Sequence, residues 1–252
     1  LSSAARRFGL WTIVCGVCFS ASLAAAQASL PAADCSTASV VAAVERGTPS
    51  GSRIAEQLRR APSPPSAIFG DSMAARWPVN ALRGALHVNV ENFGIGGDRI
   101  ENTVWLLDQL RKNGTPLSTL ILFVGTNNVR TDNECDFRVK LDRLARVARE
   151  RFGSSPIYLV NILPKGIEGR AFADRIERAN KVYRDIASTY SLILLDAHAA
   201  VESRCKKRHP CELFDSDRIH LSGIGYEFMT KLIAGARAPR GLGTLKNTTA
   251  RQ

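Results

Sequence analysis

Ser72 closes the run Ala67-Ile68-Phe69-Gly70-Asp71-Ser72-Met73, where an apolar stretch stops abruptly at Gly-Asp-Ser. A serine hydroxyl exposed on a sharp turn can attack an acyl carbon when a base takes its proton. Far along the chain, Asp217-Arg218-Ile219-His220 offers such a base, with a carboxylate three residues before it. In that reading His220 accepts the serine proton and later returns it to the leaving group. Asp217 holds the imidazole in the right tautomer and stabilises imidazolium. Asp215 competes for that role, and the Asp-x-x-His spacing selects Asp217. The backbone N–H groups of Ser72 and Gly97, with the side-chain amide of Asn127, would bind the oxyanion. Losing one such donor typically costs about 10²–10³ in rate. Gly-Asp-Ser alone is weak, because most such tripeptides are plain turns or helix caps.

The elements that carry these residues strengthen the case. From Ser66 onward, apolar runs alternate with segments of helical spacing. Strands are expected around Ala67–Phe69, His87–Asn92, Leu120–Val124, Ile157–Val160 and Leu192–Asp196. The continuous apolarity of Leu120-Ile121-Leu122-Phe123-Val124 suits a parallel strand covered on both faces. Helices are expected from Ile100 to Leu110, around Phe137 to Ala148, from Ala171 to Thr189 and from Ser222 to Ala236. Two shorter ones are expected ahead of the first strand, around Val40 to Glu45 and Ile54 to Arg60. Alternation of this kind predicts an α/β fold with a mainly five-stranded parallel sheet between helical layers. Parallel strands end on one edge, so Gly70-Asp71-Ser72, Gly94-Ile95-Gly96-Gly97-Asp98 and Gly125-Thr126-Asn127-Asn128 should converge there.

These blocks, in this order, resemble the SGNH or GDSL hydrolase superfamily. The branch containing the catalytic subunits of platelet-activating-factor acetylhydrolase is especially similar. The likeness rests on Phe69-Gly-Asp-Ser-Met73, Asn92-Phe-Gly-Ile-Gly-Gly-Asp98, Val124-Gly-Thr-Asn-Asn128, Leu163-Pro-Lys-Gly166 and His220-Leu-Ser-Gly-Ile-Gly-Tyr226. It spans about residues 66–236. The resemblance implies a three-layer α/β/α sandwich of flavodoxin-like SGNH type and no cofactor. It also implies catalytic Ser72, Asp217 and His220 and an oxyanion hole of Ser72, Gly97 and Asn127, with Asn127 preferred over its neighbour Asn128. Members cleave acetyl esters of phospholipids and sugars, longer acyl esters and thioesters, so the family leaves the substrate open.

Composition and the chain ends bound the setting. Arg6 and Arg7, the apolar segment from Phe8 to about Leu23 and the small residues Ala24-Ala25-Ala26-Gln27-Ala28 read as a secretory leader over residues 1–28. The rival, a membrane anchor, is disfavoured by a short apolar core interrupted by Ser20 and Ser22. Residues 29–65 are expected as an N-terminal arm, 66–238 as the hydrolase domain and 239–252 as a tail. Four cysteines outlast the leader, an even number that favours disulfides in an exported chain. Cys205–Cys211 would close a short loop and Cys35–Cys135 would tie the arm to the body. No Cys-x-x-Cys remains and the histidines are scattered, so no metal site is expected. Formal charge is +11, and loss of Arg6 and Arg7 leaves +9. That balance suits an anionic polysaccharide, a lipid surface or the cell wall. Aromatic content is 7% and no recognition motif is present, which disfavours nucleic acid.

The expected protein is a secreted or periplasmic esterase. It would cleave small acyl esters, acetyl above all, on an envelope polysaccharide or lipid through an acyl-enzyme. Two alternatives share the residues: an O-acyltransferase whose acceptor outcompetes water, and a catalytically weak glycan-binding protein. His87, His198 and His209 are read as incidental, Asp71 and Asp98 as braces of the strand-end loops, and Trp105 and Phe137 as core.

Overall fold

The computed structural model describes Cys35 and residues 43–60, 66–110, 118–164, 170–206 and 210–236. All of them fall in one compact unit, Ala33–Gln252. The expected leader, the tail from 239 and the segment Lys165-Gly166 lie outside the described residues.

In chain order the elements are α1 (Pro49–Arg60), β1 (Ser66–Gly70), α2 (Ser72–Ala75), α3 (Val79–Leu86), β2 (Val90–Asn92), α4 (Ile100–Gln109) and β3 (Thr119–Phe123). They continue with α5 (Glu134–Phe152), β4 (Ile157–Val160), α6 (Arg170–Thr189), β5 (Ile193–Leu195), α7 (Ala197–Cys205) and α8 (Gly223–Gly235). The strands form one sheet in the order β2-β1-β3-β4-β5, and every pairing is parallel. β1 and β3 lie in the middle, both fully buried, as their unbroken apolar sequences require.

Alternate side chains of each strand enter opposite cores. Ala67, Phe69, Leu120, Leu122, Ile157 and Leu159 pack with α1, α4, α5 and α6. Ile68, Ile121, Phe123, Tyr158 and Val160 pack with α2, α3, α7 and α8. The result is the expected three-layer α/β/α arrangement.

Two expectations need correction, and two helices add to those expected. The short helix around Val40–Glu45 is absent where it is described: 43–48 is irregular, and 40–42 lies outside the described residues. The strand predicted from His87 begins only at Val90, because His87 caps α3 in the left-handed region at φ 54°. α3 itself was not anticipated, although Pro78 and the buried Leu82 and Leu86 mark it. Nor was α7, whose alanine-rich sequence repeats no apolar face and is held by Asp196, which caps Ala199 N–H. In the segment expected as an arm, α1 buries Ala55 and Leu58 in the core, which makes it a working part of the α4 side.

Two features carry the sheet edge to the site. The backbone pairing of β1 and β2 continues past β2, with Phe93 N–H on Ile68 O at 2.8 Å and Ile95 N–H on Gly70 O at 2.9 Å. That extension delivers Gly96-Gly97 beside Asp71-Ser72. Asn92 fixes the crossing, donating from Nδ2 to Ala74 O at 2.8 Å and Trp77 O at 3.2 Å, and accepting Gly94 N–H at 2.9 Å.

At Gly94 the loop touches the backbone of Ala74 and Ala75 in α2, and a Cβ would overlap both. Gly94→Ala should therefore displace α2 and cost about 1–3 kcal/mol, as overpacked positions do. A urea denaturation midpoint equal to that of the wild type would show that the crossing is looser than described.

Candidate active site

Ser72 is placed by a short chain of local causes. Gly70 ends β1, and Asp71 caps α2 by accepting Met73 N–H at 2.9 Å. Ser72 thus becomes the first residue of α2, where helix N–H groups have no intrahelical partner. Asp71 also accepts Thr126 N–H at 3.3 Å, while its own N–H donates to Phe123 O at 3.2 Å. The ends of β1 and β3 are thereby joined across the point where strand order reverses, the usual ligand crevice of this topology. Asp71 is fully buried, and burial pushes its carboxyl up to about 6 against the pull of the Met73 and Thr126 hydrogen bonds.

His220 reaches Ser72 because α8 docks on α2. Tyr226 donates its hydroxyl to Met73 O at 2.9 Å, and Trp77 Nε1 donates to Thr230 Oγ1 at 3.0 Å. Ser222 caps α8 by accepting Gly225 N–H at 3.1 Å and donates to Glu212 O at 2.6 Å. Just before that cap, an antiparallel bridge between Phe214 and Leu221 closes the loop holding Asp217. The Cys205–Cys211 disulfide ties the approach to this loop to α7. The second disulfide joins Cys35 to Cys135 at the start of α5. Both pairings are those expected.

The three predicted catalytic side chains meet. His220 Nε2 lies 2.8 Å from Ser72 Oγ, and Nδ1 lies 2.6 Å from Asp217 Oδ2. Asp217 Oδ1 accepts the backbone N–H groups of Ile219 and His220, each at 2.9 Å. The His220 ring and these two amides hold the Asp217 carboxyl well below the usual carboxylate range. It therefore stays ionised and fixes a hydrogen on Nδ1, which leaves Nε2 as the acceptor toward Ser72.

The predicted oxyanion donors converge on the same edge. Neither Ser72 N–H nor Gly97 N–H donates to any group among the described residues. Gly97 sits at φ +79°, where a residue without Cβ is favoured. Asn127 Nδ2 gives one hydrogen to Asp98 O at 2.8 Å, which leaves its second hydrogen for a ligand.

Asn128 is the structural member of the pair. Fully buried, it accepts Ile100 N–H at 2.8 Å and donates to Glu101 at 2.9 Å and Asp132 at 2.8 Å. Arg99 and Lys140 close that network on the same two carboxylates. Burial alone would raise Glu101, yet the Asn128 amide, Lys140 and Arg99 more than offset it and hold the carboxyl below its usual range.

Other expectations are placed as follows. His198 donates its backbone N–H to Asn161 Oδ1 and sets Nδ1 3.0 Å from Ile162 O, away from Ser72; His209 lies outside the described residues. Phe137 is core and Trp105 packs against it. Among the described residues no group of three or more His, Cys, Asp or Glu side chains could hold a metal ion, and no helix is long and apolar enough to cross a membrane. These three side chains lie on an open edge, with Ser72 and His220 half-buried and Asp217 exposed. A cavity of about 200 Å³ lies between Val129–Phe137 and α6, and one of about 400 Å³ between α6 and α7; neither is lined by Ser72, Asp217 or His220. Sequence reading missed Arg46, whose guanidinium lies against Gly97 and Asp98.

Comparison with known proteins agrees with this fold. The GDSL-like Lipase/Acylhydrolase family profile matches residues 51–228. The alpha1 subunit of platelet-activating factor acetylhydrolase IB from Pongo abelii is 27% identical over 138 residues, covering 54% of this chain and 58% of that protein. The solved structure of a lipolytic G-D-S-L family protein from Veillonella parvula superposes with a TM-score of 0.58 at 13% identity, covering 68% of this chain and 96% of its own. Axe2, an acetylxylan esterase from Geobacillus stearothermophilus, superposes with a TM-score of 0.55 at 17% identity over 68% of this chain and 93% of its own.

Asp71→Asn probes the tie between β1 and β3. An amide can still accept Met73 N–H, but its NH₂ would face Thr126 N–H. Donor facing donor should cost about 1–3 kcal/mol, and activity should fall as Ser72 shifts. The pH dependence gives a second readout. Because the folded carboxyl titrates at about 6 rather than 3.8, the folded state holds more protons than the unfolded one between those values. Wild-type stability therefore falls as pH rises through that window, and Asp71→Asn should flatten the fall. An unchanged slope would assign it to other groups.

Proposed function

The chain belongs to the GDSL-like Lipase/Acylhydrolase family, a family of carboxylic ester hydrolases, and from that premise we propose that it cleaves small acyl esters by way of a Ser72 acyl-enzyme. The observation that carries the reading is the continuous line from Ser72 Oγ through the His220 ring to Asp217, at 2.8 Å and 2.6 Å. Ser72 Oγ attacks the ester carbonyl while His220 Nε2 takes its proton. The carbonyl oxygen, now negative, is stabilised by Ser72 N–H, Gly97 N–H and the free hydrogen of Asn127 Nδ2. As the C–O bond to the alcohol breaks, His220 returns the proton to the departing oxygen. Water then gives a proton to His220 as it attacks the acyl carbon, the bond from that carbon to Ser72 Oγ breaks, and His220 returns the proton to Ser72 Oγ as the acid leaves. Asp217 stabilises the imidazolium in each half-reaction.

The proposed substrate is an acetyl ester on an exported polymer or lipid, and the proposed setting is outside the cytoplasm. The open edge around Ser72 and His220 supports a short acyl group presented by a large alcohol. The fold shared with the acetylxylan esterase Axe2 is consistent with an acetylated polysaccharide. The two disulfides and the basic charge support an oxidising compartment and an anionic surface.

p-Nitrophenyl esters from acetate to octanoate test the reaction. Turnover should fall with chain length, and Ser72→Ala should lower kcat by roughly 10⁴-fold or more, as loss of a triad member does. Turnover that survives Ser72→Ala would remove Ser72 from the mechanism. A second variant tests the base. His220→Ala should lower kcat about as far as Ser72→Ala does, because no other described side chain is hydrogen-bonded to Ser72 Oγ. Near-wild-type turnover in His220→Ala would contradict His220 as the base.

A further inference from the structure

We infer that Arg46 is a positioning residue of the oxyanion hole, reaching from the segment before α1 to clamp the Gly97–Asp98 turn. The inference rests on the esterase reading of the same site.

The turn serves the hole twice. Gly97 presents its N–H, and Asp98 accepts the Asn127 amide on its main-chain carbonyl at 2.8 Å. A rotation of the peptides between these residues would therefore misplace two donors together. Arg46 restrains that rotation in two ways. Its Nη1 donates to Asp98 Oδ1 at 3.0 Å, on a carboxylate that is 0% exposed. The other oxygen, Asp98 Oδ2, has no partner among the described residues, so Arg46 is the cation that makes this buried charge tolerable. The guanidinium also covers Gly97. Its two terminal nitrogens lie 2.8 Å and 2.9 Å from the place a Gly97 Cβ would occupy, so the arginine fills the space that the missing side chain leaves.

Arg46 is itself held from both sides. Thr48 N–H donates to Arg46 O at 2.7 Å, where α1 begins, and Gly51 packs against the same carbonyl. Ahead of it, Val44 N–H donates to Glu101 O at 3.2 Å, and Asn102 Nδ2 donates to Val44 O at 2.9 Å. Further upstream, the disulfide from Cys35 to Cys135 attaches the chain to α5. An arginine on a loose segment would give little, because ordering its side chain opposes the ion pair. Here the backbone is fixed by α1 and α4 before the side chain makes its contact. Without Arg46, the Asp98 carboxyl, already raised by burial to about 6 against the pull of Arg46, would be left buried and unpaired. Its relief is to turn outward or to take a proton, and either change disturbs the carbonyl that Asn127 uses.

Kinetics on p-nitrophenyl acetate test this. Arg46→Gln should lower kcat by roughly 10- to 100-fold, part of the loss expected for a whole oxyanion donor, with KM little changed. Arg46→Lys, which keeps a charge for Asp98, should recover part of that loss. Arg46→Gln combined with Asp98→Asn should be much less damaging than the product of the single effects, because both remove one restraint. A fall in kcat that Arg46→Lys does not relieve, and that follows a lowered melting temperature, would mean a general structural role and overturn the inference. So would a raised KM at constant kcat, or wild-type kcat in Arg46→Gln. If Arg46→Gln does not fold, the kcat of Arg46→Lys relative to wild type decides, and an unchanged value with an additive Asp98→Asn effect overturns it. Absence of Ser72-dependent turnover in the wild type would overturn the esterase reading as well, which separates the two failures.

Discussion

A single buried carboxylate, Asp71, joins the two strands between which the site opens. β1 and β3 are hydrogen-bonded along their whole length, but ladder bonds alone leave the loops beyond them free to diverge. Asp71 prevents this by capping α2 with one oxygen and accepting Thr126 N–H with the other. Tyr183, buried beneath, donates its hydroxyl to Val124 O on the same loop. The arrangement has an energetic cost. Raising a carboxyl from 3.8 to about 6 corresponds to roughly 3 kcal/mol carried at neutral pH. Local stability is exchanged for a fixed relation between Ser72 and the Asn127 loop, the kind of preorganisation that electrostatic catalysis requires.

Around that tie the site is assembled from opposite layers of the sandwich. The core shared with α2 and α8 brings His220 to Ser72, through Tyr226 and Trp77. The core shared with α1, α4 and α5 supports the loops of Gly97 and Asn127, through Asn128, Asp98 and the charged group of Arg99, Glu101, Asp132 and Lys140. The proposed proton-transfer half and the proposed charge-stabilising half thus rest on different helical layers and meet over the carboxyl ends of β1 and β3. Asn127 and Asn128 illustrate the division within two residues. One amide is spared for a ligand, and its neighbour is committed entirely to structure.

The open character of the edge fits this construction. Asp217 is exposed, yet its carboxylate is oriented by two backbone N–H groups of its own turn as well as by the imidazole. Local hydrogen bonds replace burial as the means of fixing it, so the His220 ring can be oriented without enclosing it.

Much of this was legible in the sequence for a physical reason. Gly-Asp-Ser is a strand end, a cap and a first helical residue in immediate succession, and Asp-x-x-His lets one residue hold the next by bonds within a single turn. Interactions between near neighbours are encoded where the residues stand. The central parallel strands were equally plain, because burial on both faces demands unbroken apolar runs. α7 was not legible, since its alanine-rich sequence repeats no apolar face and its place depends on the Asp196 cap and on the burial of Ala197 and Val201. Arg46 was not legible either. It stands among many arginines, and what distinguishes it is a guanidinium placed on a carboxylate 52 residues away and on a glycine with no Cβ. The sequence by itself determined which groups could react and the class of sheet that would gather them. Tertiary structure alone decided that Ser72 and His220, 148 residues apart, would stand 2.8 Å from one another, because that distance depends on how two helices pack.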